Sequence, residues 1–198
     1  QAAEDFHFLD KLAKLGKIGS IPETTVFPSA RPSHRVPFGT GQRMLQFMAG
    51  HEDECLYHPQ SFRILREWLA AVEADPMRDA DDILAPAGGI HPGLEEYLRR
   101  GGFGEAWRSI RKNGRDAVQL RRQFHVWFDG LKTLRLIRHL SRTAFPPVPM
   151  AEGLSVLLEW MGVPIPGWKG RGAAPEAVDP FEALELLRSL SRSGAWTG

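Results

Sequence analysis

The stretch from about residue 114 to 142 constrains the fold of this chain most. Leu120, Phe124, Trp127, Leu131, Leu134 and Ile137 recur there at three- and four-residue spacing, the period of one helix face. Such a stripe leaves water only if other elements cover it. The flanking sequence predicts those elements as helices over about 40–49, 59–74, 91–112, 149–161 and 180–192, the third broken near Gly101-Gly102. Asp179 reads as an N-cap for the last, with Pro180 in its first turn, and Gly162 as the stop of the one before. Between them, GVPIPGWKGRGAAPEAVDP reads as a Pro/Gly-rich linker. Residues 46–198 are therefore expected to form a helical bundle centred on Leu120, Phe124, Trp127, Leu131 and Leu134.

The first forty-five residues read differently. Phe8, Leu12 and Leu15, with Leu9 beside them, mark a helix over 4–15, and Gly16 ends it. TTVFPS, 24–29, is short and β-branched, the pattern of a strand closed by Pro28. One strand cannot make a sheet. It is expected to be mobile, or to pair with another copy through its exposed edge. The fold class expected is mainly α: a helical bundle with a short α/β remnant, a helix and one or two strands, at the N-terminus.

Composition excludes several function classes. A formal charge of +1 gives no bulk electrostatic case for nucleic acid. A single cysteine, Cys55, excludes an internal disulfide framework and fits a reducing, cytoplasmic compartment. No apolar run approaches the roughly 18–20 residues of a membrane span, and no signal peptide is visible. The chain opens on Gln1 rather than Met, which suggests a processed piece.

The residues with chemical potential cluster early. Glu4 and Asp5 head the first helix, where carboxylates complement the positive end of the helix dipole. PSARPSHRVPFGTGQRM then places Arg31, Arg35 and Arg43 around Gly39, Thr40 and Gly41. The glycines let backbone N–H groups approach a ligand, Thr40 is positioned to cap the next helix, and a helix N-terminus beside arginines is an anion site. The Lys and the spacing of a P-loop are absent.

Other candidates have plainer readings. HEDECLYH, 51–58, holds His51, Cys55 and His58, but matches no standard zinc spacing and reads as a polar interhelical loop. His125 lies in the apolar stripe and reads as a hydrogen-bonded core histidine. Trp68, Trp107, Trp127 and Trp160 read as core, with an acceptor pocket at Trp127, Phe128 and Asp129 as the alternative. DADD, 79–82, reads as a solvated loop, and RSIRKNGRD, 108–116, as a solvated helix end. RRQFHVWFDGLKTLRLIRHL is basic and amphipathic; its apolar face reads as buried in the bundle rather than lying on a membrane.

The order AAEDFHFLDKLAKLG…TTVFPSARPSHRVPFGTG resembles the C-terminal third of the catalytic domain of family 2 glycosyltransferases, which have the GT-A fold. The resemblance covers about residues 2–45; 46–198 look like a variable helical extension. It implies an inverting transfer of sugar from a nucleotide-sugar donor to an acceptor hydroxyl. Asp5 would be the general base, and Glu4 would orient it or contact the acceptor. Arg31, Arg35, Gly39, Thr40, Gly41 and Arg43 would lie toward the diphosphate or the acceptor. It further implies a divalent metal, Mg or Mn, and an upstream nucleotide-binding half with a DxD motif. Since DADD follows the Glu-Asp pair instead of preceding it, no metal ligand is expected on this chain, which would be an inactive fragment by itself. The competing reading is a non-enzymatic helical interaction module.

Overall fold

The computed structural model describes residues 4–16, 40–49, 55–163 and 180–192, with isolated positions between 19 and 32. Among these residues the fold is mainly α, with ten helices and one two-stranded antiparallel sheet. In chain order they are α1 (Glu4–Leu15), α2 (Thr40–Met48), β1 (Cys55–Leu56), α3 (Pro59–Ala74), α4 (Ala80–Ile90), α5 (Pro92–Arg100), α6 (Phe103–Asn113), α7 (Ala117–Trp127), α8 (Gly130–Thr143), β2 (Val148–Pro149), α9 (Met150–Trp160) and α10 (Pro180–Arg192). Residues 56–163 form one compact unit, and the helices of 1–55 and 164–198 belong to another. The compact unit is shorter at both ends than the 46–198 extension. The linker over 162–180 lies mostly outside the described residues.

The compact unit is built on short helices with well-marked ends. His58 caps α3 by accepting from the Gln60 N–H at 3.1 Å, and Pro59 fills the first turn, where its missing N–H costs nothing. Ser61, Ile64, Trp68 and Val72 then form the buried face of α3. α5 starts the same way: His91 accepts from Gly93 N–H at 3.0 Å, ahead of Pro92. Phe145 lies against both capping rings, 5.3 Å from His58 and 5.1 Å from His91. α5 and α6 are separated at Gly102, whose φ of 71° is the left-handed conformation glycine tolerates.

The core is aromatic. Trp68 of α3, Phe103 and Trp107 of α6 and Phe124 of α7 are all fully buried. Trp68 meets Phe103 edge-on at 5.3 Å, and Phe124 meets both tryptophans edge-on, at 6.2 and 6.1 Å. Trp107 donates its indole N–H to the Arg78 carbonyl at 3.0 Å, so its burial leaves no orphaned donor. Ile83, Leu84, Leu94, Leu98, Phe128, Leu136 and Leu140 close the cluster. Each large side chain so buried contributes about 1.5–3 kcal/mol.

Three expectations are corrected. The single helix over 114–142 is two helices, because Asp129 caps a new start by accepting from Lys132 N–H at 2.9 Å, and Phe128 folds back to stack on Phe124 at 5.6 Å. The break resets the register: α8 buries Leu136, Ile137 and Leu140, while Leu131 and Leu134 stay half-buried. DADD is not a loop. Asp79 is the N-cap residue of α4, and Asp81 and Asp82, both exposed, occupy its first turn, where they complement the helix dipole. The strand expected at 24–29 is not found at its described positions: Thr24, Val26, Phe27 and Ser29 carry no regular structure, and residues 25 and 28 lie outside the description. Val26 and Phe27 are exposed, and a β-branched pattern without a neighbouring strand has little to hold it extended.

Candidate functional site

α1 begins at Glu4, so the Glu4-Asp5 pair occupies its N-terminal turn; their side chains lie outside the description. Farther along, Lys14 donates to Asp10 at 2.7 Å across one turn. Phe8, Leu9 and Leu12 stand partly exposed on α1 and Leu15 almost wholly so. Arg31 is exposed and in no regular element. Arg35 and Gly39 lie outside the described residues. Thr40 is already helical, so it is not the residue preceding α2 that its capping role requires. Gly41 is the second residue of α2, and Arg43 the fourth. The first N–H groups of a helix have no intrahelical acceptor, and Thr40 and Gly41 lie in that turn of α2. The side chains of Thr40 and Arg43 are also outside the description. The described geometry thus places five of the eight candidates on helix N-terminal turns, and it brings no candidate side chains together.

The compact unit holds three polar constellations of its own. In the first, Glu73 of α3 receives both Arg121 and His125 of α7. Arg121 Nε lies 2.9 Å from Glu73 Oε2 and His125 Nε2 lies 2.9 Å from Oε1, while Arg121 Nη2 also donates to the Glu73 carbonyl at 2.9 Å. His125 is thus an exposed surface residue pinning α7 to α3, not a core histidine. In the second, Tyr97 of α5 donates its phenol to the Lys132 carbonyl of α8 at 2.8 Å and lies 5.8 Å from the His139 ring. Burial pushes the Tyr97 phenol above its ordinary range; Arg135 opposes the rise and Asp129 adds to it. In the third, Ser109, Ile110, Asn113, Gln119 and Gln123 line a shallow cleft of about 220 Å³ between α6 and α7. Two of its three amides are already engaged: Asn113 donates to the Ser109 carbonyl at 3.0 Å, and Gln119 accepts from Arg115 N–H at 3.0 Å.

The remaining candidates settle into structural roles. RSIRKNGRD pairs with DADD, Arg111 with Asp79 and Arg108 with Asp81 at 3.8 Å, so two segments that read as independently solvated face each other across α6 and α4. Trp160 is partly exposed, unlike Trp68 and Trp107. Trp127 is half-buried beneath Lys132, whose ammonium lies 4.7 Å from the ring, and Asp129 is spent on its cap. In HEDECLYH, His58 is the cap of α3 and Cys55 is an exposed free thiol, while residues 51–54 lie outside the description. Among the described residues no three His, Cys, Asp or Glu side chains converge to hold a metal ion, so the divalent metal implied by the resemblance has no ligand set there. Nor is any helix among them long and apolar enough to cross a membrane. The capping roles of His58 and His91 were missed in the sequence, although both residues precede proline at a helix start. Comparison with protein-family models, with curated proteins and with solved structures finds no match.

Proposed function

We propose that residues 4–43 contribute the acceptor side of an inverting glycosyltransferase site. The donor is a nucleotide sugar, bound by a nucleotide-binding half elsewhere in the polypeptide, and the acceptor is a hydroxyl. The observation that supports this reading is the start of α1 at Glu4, which puts the carboxylate pair on the first helical turn, as the family motif requires. Asp5 takes the acceptor hydroxyl's proton as its oxygen attacks the anomeric carbon and the bond to the diphosphate breaks. Glu4 orients that base. The departing diphosphate is an anion, and the backbone N–H groups at the start of α2 with Arg31, Arg35 and Arg43 are the groups suited to receive it. The exposed thiol of Cys55 accords with a reducing, cytoplasmic setting.

The test is Asp5→Asn in the polypeptide that carries the nucleotide-binding half. Turnover falls by roughly two or more orders of magnitude, as losses of general-base catalysis do, while donor binding stays within twofold or so by calorimetry. An Asn variant that transfers sugar at the wild-type rate removes Asp5 from the mechanism. The second reading, a helical interaction module in which Glu4 and Asp5 only complement a helix dipole, draws on the unpaired cationic face of α8.

A further inference from the structure

Charge is distributed unevenly along the compact unit. Residues 97–143 carry twelve Lys and Arg against three Asp and Glu. Much of that excess is neutralised by carboxylates brought close in the fold: Arg99 by Glu95, Arg100 by Glu96, Arg108 by Asp81, Arg111 by Asp79 and Arg121 by Glu73. Of the cations left over, Lys112, Arg115 and Arg122 fall on α6, the following loop and α7, whereas α8 gathers three on one helix. It has no acidic residue, and Arg135, Arg138 and Arg142 are exposed without a carboxylate partner among the described residues. Their spacing of three and four puts them on one stripe, about 10 Å long at the helical rise, turned away from Leu136, Ile137 and Leu140 in the core. Tyr57, exposed at the end of β1, reaches Arg138 with its hydroxyl 3.5 Å from Nε, and the partly exposed Leu56 precedes it.

We propose that this face of α8 is a docking surface for an acidic segment of a partner polypeptide. Guanidinium forks match carboxylates in pairs, and three of them along one helix suit acidic side chains repeated along a single peptide. Arg and Tyr are among the residues that carry most of the binding energy at protein interfaces. The stripe is narrow. α5 packs alongside α8, and on that flank its Glu96, already paired with Arg100, approaches His139 at 4.0 Å. A duplex or an anionic bilayer spreads charge over a wide surface, whereas a single row of guanidinium groups about 10 Å long matches one acidic strand or helix.

The experiment is fluorescence anisotropy of a labelled oligoglutamate peptide titrated with the full chain at low and moderate salt. Poly(dT) and phosphatidylserine vesicles serve as competing probes. Saturable, salt-sensitive binding of oligoglutamate is expected. The variant R135Q/R138Q/R142Q weakens it by about tenfold or more. The variant K112Q/R115Q/R122Q, which removes the same charge from α6, the following loop and α7, leaves it within about twofold. Circular dichroism of both variants excludes unfolding as the cause, and all six side chains are exposed. Equal losses in the two variants, no saturable binding of oligoglutamate, or tighter binding of poly(dT) or of the vesicles would each overturn the proposal.

Discussion

At the residue scale, the most informative positions are buried polar groups. Ser61 is fully buried on α3, and its hydroxyl has no hydrogen-bond partner. Desolvating an unpaired hydroxyl costs free energy that alanine does not. Ser61→Ala is therefore expected to raise stability by up to about 1 kcal/mol, read from the urea midpoint; a loss of that size would mean the hydroxyl has an unseen partner. Tyr97 behaves in the opposite way. Its hydroxyl donates to the Lys132 carbonyl, so Tyr97→Phe should cost about 1 kcal/mol near neutral pH. Tyr97 also has a raised folded-state pKa, chiefly through burial. The unfolded chain then releases the phenol proton first, at about pH 10. The stability Tyr97 contributes is whole below that pH and is lost as pH rises through the folded value. Urea midpoints measured from about pH 8 to 11 should therefore fall less steeply for Tyr97→Phe than for wild type; parallel curves would remove Tyr97 from the alkaline limb.

At the element scale, ends matter more than middles. α8 exists as a separate helix because Asp129 satisfies the Lys132 N–H. Asp129→Ala should destabilise the chain by about 1 kcal/mol, while Asp129→Asn, which retains a capping oxygen, should lose much less. A thermal melt of the pair separates capping from charge. Gly102 is a second control point. It joins α5 to α6 at positive φ with open space around it, so Gly102→Ala meets backbone strain rather than a clash and should cost about 1 kcal/mol. α4 departs most from what propensity predicts, carrying Pro86, Gly88 and Gly89 inside a helix. Ala80, Ile83, Leu84 and Ala87 are buried from it against the core, and this packing offsets its poor helix formers.

At the scale of the whole molecule, residues from α3, α4, α5, α6, α7 and α8 meet in one buried cluster. Its cooperativity can be tested through Trp107, which touches Phe103 and Phe124 and is fully buried. Trp107→Ala should destabilise by about 3–5 kcal/mol. Native-state hydrogen exchange should show the loss shared by the slowest amides of α3, α5, α6 and α8 alike. Loosening confined to α6 would show that the cluster is not one cooperative core.

The sequence by itself determined most of the helices. α1, α3 and α10 begin and end where their apolar periodicity and flanking Pro, Asp or Gly put them, because those signals act over a few neighbouring residues. The Gly101-Gly102 break was legible for the same reason. What tertiary structure decided were features that depend on distant partners. The stripe over 114–142 has helical period throughout, and only the packing of Phe128 on Phe124 and the capping by Asp129 divide it. α4 is hidden in the sequence by its proline and glycines and is held by burial. His125 looked like core because its neighbours are apolar, yet it faces Glu73, fifty-two positions away in sequence. The motif of residues 4–43 was wholly a sequence feature: it fixes which side chains are candidates and which helix turns bear several of them, since helix starts are local. The i,i+4 pairs of α5 are local, but which arginines of α6 and α7 find a carboxylate was decided by the folded unit, because their pairings with α3 and α4 are made across the fold.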